Sequence, residues 1–412
     1  MNPFQLKPEK LESLYMDWKA LYPKPYDKME TDPYTRVRII LMNGTEFEAA
    51  KYSHQFHRHE SNNDLRRELA VTRRQEQQQQ KKLACLKPMD ETVLEHTIGY
   101  EQLAVDLTAM LAQRVTCAAV KSALDFALLE DFDHLYRYAD LLEMEHGVYA
   151  EQLVGPYTEI MPGRPTISEH RSPADALCAP GKPDADLFDK MAVNIITAAE
   201  QQTMNYYMNV CSFYTSDLGR QLYQEIGQIE EQHVTQYGSL LDPNLTWLEG
   251  LLLHEYAEAY LYYSCMEDET DPYVKAVWED FFRMEVAHLH KAADLLKTYE
   301  KKDWQQVIPG GEFPAPLKFR PNIEYVRSAL NMVDFTAEKE IFKPVHMLPR
   351  DYGFFRYQKA VNDPVDAVPS HRVIDHSIRL RGQDYRAETA PSPVPALQNR
   401  RVDNTTVGRA YP

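Results

Sequence analysis

Cysteine is scarce and scattered. The 412 residues include five (Cys85, Cys117, Cys178, Cys211, Cys265), an odd number with no Cys-x-x-Cys pair. That usage excludes a disulfide framework and fits a reducing, cytoplasmic-type compartment. Long apolar runs are missing too. No stretch of 18 apolar residues occurs, so no membrane-spanning helix is expected. The opening Met1-Asn2-Pro3-Phe4-Gln5-Leu6-Lys7-Pro8-Glu9-Lys10 is too polar for a signal peptide. Positive charge is in short supply. Lys and Arg number 45 against 62 Asp and Glu, a net charge of −17, which argues against nucleic acid as a partner. What is plentiful is apolar surface, at 44% hydrophobic residues, enough for a substantial core in one large domain with appendages or in two domains.

Along the chain, residues 1–34 are rich in Tyr and Pro and read as irregular. Residues 35–49 are expected to be a strand entering an Asn43-Gly44 turn. His54, His57 and His59 read as surface or interface residues more readily than as metal ligands. A polar helix is expected over 61–84, and together residues 1–89 form an N-terminal extension. Residues 90–302 are read as one helical domain of three antiparallel hairpins, at 90–154, 186–241 and 245–300. A Pro-rich stretch from Gly155 to Asp186 is long enough to cross a bundle between the first two hairpins. Only Asp242-Pro243-Asn244 separates the second from the third. Residues 303–350 read as loop plus a packing helix near 323–340, and 351–412 as an extended or disordered tail.

The three hairpins carry one signature at one spacing: a Glu, then an acid-x-x-His triplet 30 residues on. The instances are Glu101 with Asp131 and His134, Glu200 with Glu230 and His233, and Glu255 with Glu285 and His288. Of the 14 His, one other follows an acid at this distance, His146 after Glu143, but Gln113 stands where its Glu would be. Residues i and i+3 share a helix face, so each triplet points a carboxylate and an imidazole the same way. The acids sit on apolar stripes: Glu101 lies among Ile98, Ala104 and Val105, and Glu285 among Phe281, Phe282 and Leu289. Buried carboxylates are costly unless paired or bound to metal. Two lone Glu and two Glu-x-x-His form the ligand set of a carboxylate-bridged two-metal site in a four-helix bundle.

On these residues the chain resembles the ferritin-like superfamily of dimetal-carboxylate proteins, its rubrerythrin-type branch above all. Glu101 and Glu200 match the lone glutamates. Glu230 and His233, within Ile229-Glu230-Glu231-Gln232-His233, match the Glu-x-x-His closely, whereas Asp131 stands where Glu is usual. The first two hairpins also share Gln102 and Gln201 after the lone Glu, and Tyr138 and Tyr237 four residues after the His. They are therefore expected to build the main site. Glu255, Glu285 and His288 are left as a half-site that pairs with a symmetry mate, joins a merged site, or stays uncoupled.

The resemblance implies a mainly α, ferritin-like helical bundle holding two Fe ions, or Mn in their place. It implies an oxidoreductase reacting with dioxygen or peroxide, with a homo-oligomer among the assemblies open to it. No four-Cys iron domain accompanies the bundle, so the electron donor must be external. The alternatives are an iron-handling ferroxidase or storage protein and a non-catalytic helical scaffold. The end of the chain, Asn404-Thr405-Thr406-Val407-Gly408-Arg409, has a resemblance of a few residues to cargo-loading peptides of bacterial protein nanocompartments.

Overall fold

The computed structural model describes residues 1–164, 169–174, 185–338, 341–382 and 386. The Asn404–Arg409 likeness and most of the expected tail lie outside them. The described residues are mainly helical, with a single two-stranded sheet among them. None of their helices is long and apolar enough to cross a membrane.

Each long helix starts on a chemical signal. α1 (Pro33–His59) opens with Pro33 behind Asp32, whose carboxylate accepts from the Tyr34 N–H. α2 (Asn63–Ala84) is capped by Asn62. α3 (Val93–Ala112) opens with a reciprocal capping box of Thr92 and Glu95. α4 (Ala118–His146) ends at Gly147, whose φ of 65° is the left-handed turn that favours glycine. After the short α5 (Glu151–Val154) come α6 (Leu187–Phe213) and α7 (Asp217–Gly238), the latter capped by Ser216. α8 (Trp247–Asp268) repeats the capping box with Thr246 and Glu249. α9 (Pro272–Leu295) opens with Pro272 behind Asp271.

Two sequence expectations are corrected here. The strand and turn over 35–49 are instead the first half of α1. Asp32 and Pro33 nucleate a helix, and Gly44 sits mid-helix because a Cβ there would meet the Gln202 amide oxygen at 3.0 Å. The tail from 351 is not extended throughout: α11 (Gly353–Val361) and α12 (Pro369–Arg381) lie within it. In 323–340 the helix is short, α10 (Ile323–Ala329). It is followed by the antiparallel pair β1 (Phe335–Glu338) and β2 (Ile341–Pro344), in the register Phe335↔Pro344.

Among the described residues the hairpins number four rather than three, and they form two tandem copies. α1 and α6 both run 27 residues, and α2 and α7 both run 22. Equivalent positions lie 154 residues apart: Asn62 and Ser216 as caps, Thr92 and Thr246 as caps, Glu46 and Glu200, Glu101 and Glu255.

The chain divides into two compact units that draw on both copies. The first comprises Met1–Glu91, Lys182–Gln202 and Asp242–Phe319, and so joins α1–α2 with α8–α9. Its core includes Val37, Ile40, Leu83, Leu252, Trp278 and Leu289, all 5% exposed or less. The second comprises Thr92–Gly181, Thr203–Leu241 and Arg320–Pro412, and joins α3–α4 with α7 and the end of α6. Leu107, Phe126, Leu128, Leu135, Leu222 and Ile226 are fully buried in it. Each such side chain contributes roughly 1.5–3 kcal/mol of transfer free energy. In this unit the Arg164 guanidinium lies 3.9 Å from the Phe126 ring centroid and donates to the Phe335 carbonyl at 2.6 Å, which ties the β-hairpin to α4.

Candidate metal centres

In the second unit, five of the nine expected ligands come together. α3 supplies Glu101, α4 supplies Asp131 and His134, and α7 supplies Glu230 and His233. All are 1% exposed or less. Their donor atoms form two groups, each within 4.8 Å: Glu101, His134 and Glu230 in one, and Asp131, Glu230 and His233 in the other. Glu230 belongs to both. His134 Nδ1 lies 3.1 Å from Glu230 Oε1, and His233 Nδ1 lies 3.0 Å from Glu230 Oε2 and 3.2 Å from Asp131 Oδ1.

The imidazoles are held from behind. His233 Nε2 is 2.6 Å from Glu130 Oε2, and His134 Nε2 is 3.8 Å from Glu169 Oε2. The 2.6 Å contact with Glu130 holds a proton on His233 Nε2, so that Nδ1 would offer its lone pair to a cation in place of a proton. Glu130 remains ionised although burial raises its carboxyl. Arg171, His233 and Arg164 outweigh burial and bring its pKa down to about 2. Tyr207 of α6 donates its hydroxyl to Glu101 Oε1. Burial pushes the Glu101 carboxyl well above the ordinary range, with Glu230 and Asp131 adding to the rise. Burial also raises Glu230, but hydrogen bonds from His134 and His233 reverse the sign and leave it depressed.

No Lys or Arg among the described residues forms an ion pair with Glu101, Asp131 or Glu230. The cations of this unit go elsewhere: Arg137 to Asp133 at 2.6 Å, Arg171 to Glu130 at 3.6 Å, Arg386 to Asp140. Glu101 Oε2, Asp131 Oδ1 and Glu230 Oε2 accept no hydrogen bond of good geometry among the described residues. The ligand types present therefore fit a cation that these oxygens would otherwise lack. The comparison acid Glu143 differs: it pairs with Arg381 and Arg386, and His146 beyond it is exposed.

Glu200 is buried on α6, two turns before Tyr207 and hence on the same helix face. By contact it is counted with the first unit, three residues before the second resumes at Thr203.

The expected half-site does not stand alone. Glu255, Glu285 and His288 lie in the first unit with Glu76 of α2, all four offering donor atoms within 4.8 Å of one another. Glu76 also belongs to a second group with Glu46 of α1 and Glu258 of α8. The half-site thus meets its partner within the chain. Sequence reasoning placed Glu258 near the half-site but missed Glu46 and Glu76, although a signal was present. Glu46 and Glu76 keep the 30-residue spacing, but Gln79 stands at the third position, where a search for His passes it over. The His-rich end of α1 takes no part: His57 bonds Arg66, and His59 stacks on Trp247 with ring centroids 5.4 Å apart.

No family model, curated protein or solved structure matches this chain.

Proposed function

We propose that the second unit is a dimetal-carboxylate centre of ferritin-like type, and that the protein is an oxidoreductase that reacts with dioxygen or peroxide using an external electron donor. The observation that carries this reading is Glu230. It is one buried carboxylate shared by two ligand groups, with the Nδ1 of His134 on one side and that of His233 on the other. Glu101 and His134 would hold one ion, and Asp131 and His233 the other, with Glu230 common to both.

Oxygen donors with one imidazole per ion suit Fe, or Mn in its place, over a thiolate-preferring metal. When bound, these ions supply the electron transfer to dioxygen or peroxide, while the protein fixes geometry and access. Tyr207 orients Glu101 through its hydroxyl, and Glu130 fixes the tautomer of His233. The full burial of the five side chains keeps bulk water from competing for the ligand positions.

The test loads the chelator-stripped full chain with ferrous ion under anaerobic conditions. Glu230→Gln is expected to bind about two fewer ions per chain than wild type and to lose peroxide reduction with an external reductant. Glu143→Ala is expected to keep its metal. Equal iron in wild type and Glu230→Gln, or full peroxide turnover by that variant, overturns the reading.

A further inference from the structure

We propose that the first unit carries a second, nitrogen-poor metal centre, in which Glu258 occupies the ligand role that an imidazole holds in the second unit. The inference rests on residues of the first unit alone and is independent of the reading above.

The two clusters correspond residue by residue. Glu76 is shared by two ligand groups, as Glu230 is. His288 Nδ1 lies 2.9 Å from Glu76 Oε1 and 3.3 Å from Glu285, and its Nε2 lies 3.0 Å from Gln75 Oε1. That is the arrangement of His134, 154 residues earlier, whose Nδ1 lies 3.1 Å from Glu230. A tyrosine hydroxyl also donates to one carboxylate of each cluster, Tyr262 to Glu46 and Tyr207 to Glu101, although the two pairs do not occupy equivalent positions.

The departure is at one position. Gln79 stands where the second unit has His233. Its amide nitrogen donates to Glu285 Oε1 at 2.6 Å, so it buttresses a carboxylate and offers no nitrogen lone pair. The group that lacks this imidazole is the one that contains Glu258, one helical turn after Glu255 on α8. Position 104, the counterpart of Glu258 in the other copy, is Ala. One ligand is lost from α2 and one is gained on α8.

Glu258 is fully buried, and neither of its oxygens accepts a hydrogen bond among the described residues. The one base near it is His254 Nε2 at 3.4 Å. Five buried carboxylates (Glu46, Glu76, Glu255, Glu258, Glu285) face a single ligating imidazole. Several cations of this unit are spent on other groups: Arg38 on Glu269 and Asp268, Arg36 on Glu91, Lys291 on Glu68, and Arg73 on Ser53. Such a cluster is neutralised by protonation or by cations, and bound divalent ions would do the second. Two divalent ions offset four of the five charges. Hard oxygen donors with one nitrogen favour Mn²⁺ or Fe²⁺ and give less advantage to Zn²⁺ than a two-imidazole site does. A cleft lined by Ser53, Thr72, Arg73 and Lys291 reaches Glu76, Glu255 and His288, and offers the ions a way in.

The experiment is Mn²⁺ binding to the chelator-stripped full chain by equilibrium dialysis with electron paramagnetic resonance, repeated with Zn²⁺ in competition. The variants are Glu76→Gln, Glu258→Gln and Glu230→Gln, which preserve side-chain volume. Circular dichroism confirms their helices. Wild type is expected to bind about four Mn²⁺, and Glu76→Gln and Glu230→Gln about two each. Glu258→Gln is expected to weaken first-unit Mn²⁺ binding about 10-fold or more. Mn²⁺ left in Glu230→Gln should resist displacement by Zn²⁺ better than Mn²⁺ left in Glu76→Gln. Unchanged binding in Glu76→Gln and Glu258→Gln overturns the inference, and so does a Zn²⁺ preference equal in the two units. Loss in Glu76→Gln alone supports it while removing the proposed dimetal reading of the second unit. Loss in Glu230→Gln alone does the reverse.

Discussion

At the scale of the residue, orientation matters more than proximity. His134, His233 and His288 all turn Nδ1 to a carboxylate cluster and Nε2 to an outer acid or amide. A His packed for structure alone has no reason to repeat that choice three times. Not every buried acid is a candidate ligand, however. Glu269 is held by Arg38 at 3.0 Å, by Thr35 at 2.6 Å and by the Trp278 indole N–H at 3.1 Å. Burial raises its carboxyl, but the Arg38 charge and these hydrogen bonds depress it overall. A depressed folded-state pKa gives stability that is present above the unfolded-state value and lost as pH falls through the folded one. Glu269→Gln is therefore expected to cost about 2 kcal/mol at neutral pH and to lose less stability than wild type on acidification below the usual Glu range. Urea midpoints across that range check this, and parallel curves would refute it.

At the scale of the element, helix ends were legible because their chemistry is local. Pro272 behind Asp271, and Thr92 with Glu95, are visible without a fold. The same capping box recurs at Thr246 and Glu249, so Thr92→Ala and Thr246→Ala are each expected to cost about 1 kcal/mol, measured as a loss of thermal stability. α1 was misread for an equally physical reason. The stretch Val37 to Met42 is β-branched and apolar, and Asn43-Gly44 is a strong turn signal in isolation. Its helical state depends on burial of Val37, Ile39, Ile40 and Leu41 and on the close approach of Gln202 to Gly44, and both come from distant parts of the chain.

At the scale of the molecule, the main fact is a duplication with exchange. Two copies of a four-helix segment lie 154 residues apart, and each compact unit takes one complete hairpin from one copy and helices from the other. The copies have diverged at their ligands: His233 answers to Gln79, and Glu258 to Ala104. Metal and fold are linked in such an arrangement, since ions that bind only the folded state stabilise it by about 2.7 kcal/mol at 100 times their Kd. Chelation is expected to lower the melting temperature of the wild-type chain, and Mn²⁺ to restore it. A melting temperature indifferent to chelator would count against metal in either unit. Gln79→His restores the imidazole that the other copy keeps. It is expected to raise Zn²⁺ affinity in the first unit about 10-fold or more, read by the same competition.

The sequence by itself determined the helical hairpins, the 30-residue spacing and nine candidate ligands, because i, i+3 geometry and capping act within a few residues. Only the tertiary structure decided which hairpins meet, that α1 and α2 complete the expected half-site, and that Glu258 joins it. Those outcomes depend on burying apolar faces and unpaired carboxylates across separations of some 200 residues, as between Glu46 and Glu258, and no local pattern encodes which distant face will be the partner.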